Sequence, residues 1–529
     1  MPADPPPDPP PAEGAALELG EVRTRAVRAT GGLLGRQVVV RGLDALGLLV
    51  LAPLLSPAVF GVFAIARFVV IFFKRLGDVG LSATLIRKPG AVTEAELRTV
   101  FTIQQAVVAV SVVLIWVGAP LVTAHYAELG PEHVWLVRAL GASLLLSSLR
   151  TIPSVLVQRQ LRHERLAVVD IVEVVVYNAL TIGLVLAGLE VWALVWGFLA
   201  RGLVGMVLTN ALAWWRPRFG FSRAAAREVA GFGVPIQLGS LLTLARDAVV
   251  PVFVGSVLGA AAVGLVNLAR TLLNAAVEQP LSLMGRVQLR VFGHVQRERA
   301  RLERALERTV FLGGALVGLP LALVVALAEP LMRHVIGTEW LPALPVVALV
   351  GVAFATNVVS NPLVQAVKAV GEGWTLFRSQ AINVGVLATV FALTYRSLGL
   401  AAFGWGFLAA QAAVGVYAGW RLRPYARPAW GRAALPALVA CLAAAGVAWA
   451  ASRAVASLPG MILAGAAAAL VFALVLGALA GRRVASDLGL IVDSVGGRSE
   501  RARAAGARVQ RGFAWLDRTP EARSRPGVS

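Results

Sequence analysis

Two stretches of the chain, DALGLLVLAPLLSPAVFGVFAIAR (Asp44–Arg67) and DAVVPVFVGSVLGAAAVGLVNLAR (Asp247–Arg270), carry one pattern without a gap. A shift of 203 positions lays Asp44 on Asp247, Ala45 on Ala248, Leu55 on Leu258, Ala58 on Ala261, Gly61 on Gly264, Ala66 on Ala269 and Arg67 on Arg270. Between its first Asp and its last Arg each copy carries no charge and is mostly apolar, as helices immersed in lipid require. The chain is thus built on an internal duplication.

Outward from these copies the same character continues. Of the 529 residues 58% are hydrophobic and 15% charged, and the mean hydropathy is +0.75, more apolar surface than one soluble core can hide. A hydrocarbon layer takes about 20 apolar residues per helix. Runs of that kind predict fourteen spans, near 34–55, 58–83, 99–123, 134–156, 166–188, 190–213, 229–255, 259–285, 309–328, 341–366, 376–394, 399–420, 433–452 and 459–480. The expected fold class is therefore an all-α polytopic membrane protein, with no large soluble domain between spans.

Charge orients these spans. With the N-terminus cytoplasmic, and with Lys74, Arg75 and Arg378 near span ends counted with the adjoining loops, 38 of the 49 Lys and Arg fall on the cytoplasmic side and only Arg333, Arg396 and Arg453 on the other. The remaining eight, including Arg138, Arg150 and Arg201, lie inside spans. Such asymmetry is the positive-inside rule obeyed, and it places both termini in the cytoplasm. The net charge of +20 then marks contact with anionic lipid and not with nucleic acid. Trp135, Trp214, Trp215, Trp340, Trp374, Trp420 and Trp430 fall near span ends, where an interfacial aromatic belt belongs.

Six spans separate the two copies, so both run the same way across the membrane. Two parallel six-helix bundles are expected, 32–215 and 229–422, joined by a cytoplasmic linker at 216–228 and followed by two extra helices at 433–480. A proline-rich tail (1–31) and a basic tail (481–529) flank them in the cytoplasm. The loop from Gln288 to Thr309 and the tail from Arg482 to Ser529 are expected along the inner leaflet. Parallel bundles of this kind form transporters that hold cargo in a cleft near the bilayer midplane.

Charged side chains within spans cost about 2.5–3.5 kcal/mol each on insertion scales, so they need water or a partner. Asp44 with Arg67, and Asp247 with Arg270, could be paired locks that fix helix packing. The arginines of spans one, two, seven and eight (Arg36, Arg41, Arg67, Arg246 and Arg270) nevertheless outnumber Asp44, Asp247 and Glu278. A surplus of guanidinium charge attracts an anion, and its fork suits phosphate oxygens. Carboxylates free to change partner, Asp44, Asp247, Glu173 and Glu278, are the candidates for ion coupling. Polar stripes at helical spacing add to this interior: Asp170, Glu173, Tyr177 and Thr181 on the fifth span, and Asn357, Asn361 and Gln365 on the tenth.

Other chemistry finds no footing. Cys441 is the single cysteine, which excludes an intrachain disulfide framework or a thiolate metal cluster. The sequence has no P-loop, no paired acids in a long external loop and no His cluster, so neither catalysis nor a cofactor or metal is expected.

The residues from Ser56 to Phe101, SPAVFGVFAIARFVVIFFKRLGDVGLSATLIRKPGAVTEAELRTVF, include a D-x-G-L-S-x-x-L-I stretch at Asp78–Ile86. Together with RDAVVPVFVGSVLGAAAVGLVNLAR (Arg246–Arg270), they resemble the polysaccharide-flippase branch of the multidrug/oligosaccharidyl-lipid/polysaccharide exporter superfamily. The resemblance implies a flippase that carries an undecaprenyl-diphosphate-linked oligosaccharide, such as an O-antigen or exopolysaccharide unit, across the bacterial inner membrane by alternating access. It further implies membrane lipids, a polyprenyl-diphosphate glycan and glycan polymerase or export proteins as partners. Related lipid II flippases carry cavity arginines on spans one, two and eight, which by resemblance correspond to Arg36 or Arg41, Arg67 and Arg270. The superfamily also contains multidrug/cation antiporters, the alternative function. A cavity for organic cations would be rich in carboxylates and aromatic rings, whereas arginines prevail here.

Overall fold

The computed structural model of the chain describes residues 39–78, 84–86, 88, 90, 92–126, 128–160, 162–227, 243–371, 374–454 and 457–496. Every regular element among them is helical. In order these are α1 (39–51), α2 (Pro57–Asp78), α3 (Glu94–His125), α4 (Val134–Arg159), α5 (His163–Leu186), α6 (Glu190–Leu212), α7 (243–258) and α8 (260–295). There follow α9 (Arg299–Leu331), α10 (Leu344–Ala369), α11 (Thr375–Leu398), α12 (Ala401–Leu422), α13 (Trp430–Ala454) and α14 (Leu458–Gly496). The protein is a multi-pass membrane protein.

Among the described residues twelve helical stretches are long and apolar enough to cross a bilayer. The difference from the fourteen expected lies in two places. Of the first span only 39–51 are described as helix, too short to qualify. The seventh and eighth run on as one stretch of 35 residues, Thr243–Val277. At 1.5 Å per residue it would reach about 52 Å, far beyond a hydrocarbon layer of about 30 Å. Gly259 explains how it fits: its φ of 84° and ψ of 175° break the helical path, a conformation that costs little only without a Cβ. Just before it, Val249–Val254 forms a π-helical stretch around Pro251.

Local signals set other ends. Thr93 caps α3, its hydroxyl accepting from the Glu96 amide at 3.3 Å while the Glu96 carboxylate accepts from the Thr93 amide at 3.0 Å. That reciprocal box satisfies two amides with no helical partner. Prolines 120, 153, 280, 320 and 362 lie inside helices, which lipid-embedded helices tolerate because neighbouring groups take up the freed carbonyls.

The helices sort into two compact units, Met1–Leu55 with Val62–Leu244, and Ser56–Gly61 with Ala245–Ser529. In the first, α3 packs on α4, α4 on α6 and α5 on α6. A core of Leu85, Leu97, Val100, Phe101, Ile152, Val155 and Trp215 closes one end. The chain after α6 is pinned there: Thr99 and Thr102 hydroxyls accept from the amides of Ser222 and Gly220 at 2.9 and 3.0 Å. In the second unit α12 lies against α10 and α11, and α9 against α8, α10 and α13. The α13 and α14 pair joins α9 through small residues, Ala437, Ala440, Ala444, Ala448 and Ala468, all buried. Where lipid tails are as apolar as leucine, close backbone approach of this kind holds helices together. Leu121, Leu393 and Val416 are more than 70% exposed, the faces left for lipid.

The start of α2 belongs to the second unit for a specific reason. A Cβ on Gly61 would fall on the carbonyl of Ala260, and one on Gly264 on the carbonyl of Pro57. The 203-residue shift lays Pro57 on Ala260 and Gly61 on Gly264, so the two contacts are the same contact made reciprocally. Only glycine permits backbones this near.

Candidate functional site

The first unit gathers charge from several helices at membrane depth. On α5, Asp170, Glu173, Tyr177 and Thr181 share a face, as their spacing predicts. Opposite them α6 presents Gly197, Arg201 and Gly205, one residue per turn. A Cβ at Gly197 would strike the Thr181 hydroxyl, and one at Gly205 would lie 2.7 Å from the Glu173 carboxyl carbon. The two glycines therefore let α6 approach α5 until Arg201 lies over the Tyr177 ring, 6.0 Å from its centre.

Ion pairs knit this face together. Arg150 of α4 reaches Asp170 at 3.2 Å and makes a short ion pair with Glu173. Arg201 Nε stands 3.6 Å from the other Glu173 oxygen, and its Nη1 3.9 Å from Asp44 of α1. Glu173, with a side chain only 7% exposed, is thus held between two guanidiniums. A carboxylate buried this far persists as a charge only with such partners.

Arg67 stands apart. Its guanidinium lies 5.7 Å from the centre of the Phe198 ring, with Tyr177, Arg201 and Asp44 as electrostatic neighbours. Among the described residues no carboxylate comes within ion-pair distance of it. The residue is nevertheless exposed, although it sits in the middle of a membrane-spanning helix. A lone cation there has to meet water or an anion.

The second unit arranges the repeat-related pair differently. Asp247 Oδ1 receives Arg246 Nη2 at 3.1 Å, Arg246 Nε at 3.3 Å and Arg270 Nη2 at 3.7 Å. Two guanidiniums share one carboxylate oxygen, and one positive charge is left over. All three side chains are partly exposed. The same Asp and Arg positions therefore form an ion pair in the second copy and not in the first.

Of the candidates named from sequence, Asp44, Arg67 and Glu173 lie in the first unit, where Arg201 links Asp44 to Glu173, and Arg246, Asp247 and Arg270 meet in the second. Arg41 is exposed and acts on Asp44. Arg36 lies outside the described residues, as does the side chain of Glu278. Sequence reasoning counted Arg150 and Arg201 within spans but did not place them at the site. Their signal was present: Arg201 falls between Gly197 and Gly205 at four-residue steps, opposite the α5 acids. On α10, Lys368 donates to Gln365 at 3.2 Å, so that stripe is partly bonded within its own helix.

Residues 50–345, more than half of the chain, match the family model described as "Polysaccharide biosynthesis protein". The chain belongs to that family. Within reach of it, the chain is 27% identical over 369 residues to the succinoglycan biosynthesis transport protein ExoT of Rhizobium meliloti (strain 1021), covering 68% of this chain and 71% of that one. It is 25% identical over 301 residues to the teichuronic acid biosynthesis protein TuaB of Bacillus subtilis (strain 168), covering 55% of this chain and 60% of the relative. Its fold is similar to that of the lipid II flippase MurJ in an inward closed conformation, with a TM-score of 0.66 and 12% identity over 85% of this chain and 99% of the other. An inward-facing multidrug resistance MATE family transporter follows at a TM-score of 0.52 and 17% identity, over 76% and 98% of the two chains.

Proposed function

We infer that the protein is a flippase, which moves an undecaprenyl-diphosphate-linked oligosaccharide from the cytoplasmic to the outer leaflet of the inner membrane by alternating access. The observation that carries this reading is the surplus of guanidinium charge at membrane depth among the described residues, Arg67 with no carboxylate in ion-pair distance and Arg246 with Arg270 sharing Asp247, in a chain of a polysaccharide biosynthesis family. A diphosphate offers oxygens on several sides, and forked guanidiniums grip them bidentately. The polyprenyl tail stays in lipid while the glycan crosses with its diphosphate. The chain changes no covalent bond of its cargo.

Arg36, Arg41, Arg67, Arg246 and Arg270 are the proposed anion-holding residues. Asp44, Asp247, Glu173 and Glu278 are the proposed coupling groups, each able to exchange a guanidinium for a proton or cation as the protein changes state. The bundles 32–215 and 229–422 would carry the two sets, with 433–480 appended and both termini cytoplasmic, in keeping with the charge asymmetry. Glycan polymerase or export proteins are the proposed partners.

The names of ExoT and TuaB, a succinoglycan biosynthesis transport protein and a teichuronic acid biosynthesis protein, support a glycan as cargo. A multidrug/cation antiporter is the alternative that the MATE likeness of fold leaves open. The excess of arginine at the described sites favours the anion. Replacing Arg67 and Arg270 together by Gln tests the assignment: surface glycan should disappear while the protein stays inserted at its normal level. Undiminished glycan, or a gain of drug sensitivity on deletion of the protein, would overturn it.

A further inference from the structure

We propose that Arg201 is a positioning residue that draws the Asp44 carboxylate away from Arg67 and so keeps the Arg67 guanidinium free for the phosphate oxygens of the cargo. This deepens the reading of Arg67 given above and rests on it.

The comparison of the two copies carries the proposal. Asp247 and Arg270, the repeat partners of Asp44 and Arg67, stand 3.7 Å apart. In the first copy the corresponding pair is absent, and Asp44 Oδ1 lies 3.9 Å from Arg201 Nη1 instead. Arg41 and Arg67 are the other guanidiniums that act on Asp44. Asp44 retains 38% exposure of its side chain, which leaves its carboxylate room to change partner.

Arg201, by contrast, cannot drift toward Arg67. Its Nε is tethered 3.6 Å from Glu173, which Arg150 grips from the other side, and the Tyr177 ring lies beneath it. Gly197 and Gly205, a turn before and a turn after, bring its backbone against α5. The fixed cation therefore selects the partner of the mobile anion. At about 4 Å in a medium less polar than water such a choice is decisive, because attraction falls with distance and is poorly screened.

With Arg201 gone, Arg41 on its own helix and Arg67 on α2 are the cations left to Asp44, and a pair with Arg67 would compete with a ligand phosphate. Removing Asp44 as well should then restore binding. A purely structural role of Arg201 makes the opposite forecast, since a second charge deletion would only add damage.

The test uses the full chain in nanodiscs with undecaprenyl diphosphate as the probe, its dissociation constant read by native mass spectrometry beside the thermal midpoint of each variant. R67Q and R201Q should each weaken binding roughly tenfold, and R201Q/D44N should return to within about threefold of the parent. If R201Q does not accumulate, R201Q/D44N decides alone: binding near the parent supports the proposal, and binding as weak as R67Q overturns it. R201Q that binds like the parent while R67Q is impaired defeats this proposal only. R67Q that binds like the parent defeats the anion reading itself.

Discussion

Gly61 and Gly264 occupy the same place in the two copies and pack reciprocally, each against the residue that the duplication lays on its partner's helix start, Ala260 for Gly61 and Pro57 for Gly264. A Cβ on Gly264 would also stand 3.2 Å from the Gly61 amide nitrogen. The obstacles are backbone atoms, which cannot swing aside as a side chain can. Gly61→Ala and Gly264→Ala should each lower stability by about 2 kcal/mol or more, through overpacking. Thermal unfolding in detergent checks this, and an unchanged midpoint for both variants would contradict the packing described.

The polar face between α5 and α6 predicts a paired comparison. Gly205→Ala places a methyl 2.8 Å from Arg150 Nη1 and against the Glu173 carboxylate, and should cost about 3 kcal/mol by forcing a buried ion pair apart. Gly446→Ala, in α13, meets nothing within 4 Å and should stabilise by about 0.5–1 kcal/mol through lost backbone entropy of the unfolded chain. Midpoints that moved in the same direction would count against this account of the interface.

Glu303 and Glu307 of α9 accept from the amides of Arg427 and Ala429 at 2.7 and 2.8 Å, and so clamp the connection that leads into α13. The lone Cys441 lies farther along α13, its sulfur where a Cβ on Gly318 of α9 would stand. The double substitution Glu303→Ala/Glu307→Ala should loosen α13 and raise the rate of maleimide labelling at Cys441 several-fold. Equal labelling rates would mean that the alanine packing between α9 and α13 suffices without the clamp.

Arg159, at the end of α4, donates to the carbonyls of Leu85, Lys88 and Gly90, with the first two at 2.5 and 3.0 Å. One guanidinium thus gathers the connection between α2 and α3. Arg159→Gln should open that connection to protease at lower concentrations than the parent needs and cost about 2 kcal/mol, the loss expected when charge-assisted bonds to backbone oxygens are removed. Arg159→Lys should recover only part of this, because one ammonium cannot span three carbonyls.

The sequence by itself determined that the chain lives in lipid, that its apolar runs favour helices, that it is duplicated and that cations exceed anions on the duplicated helices. These follow from composition and periodicity, because a bilayer imposes one length and one secondary structure on whatever crosses it. It also offered Arg67, Arg270, Asp44, Asp247 and Glu173 as candidates. What it could not say is who pairs with whom. Asp44 and Arg67 stand 23 positions apart, as Asp247 and Arg270 do, yet only the second pair forms. In the first copy Asp44 faces Arg201 instead, far along the chain and on another helix, and such partner choice is decided by distances of a few ångströms between side chains on separate helices. Likewise Gly61, Gly197 and Gly205 read as ordinary small residues until the helices they allow to meet are in place. Spans are local properties of a sequence, whereas which arginine lacks a carboxylate partner among the described residues is decided only once several helices have settled their charges among themselves.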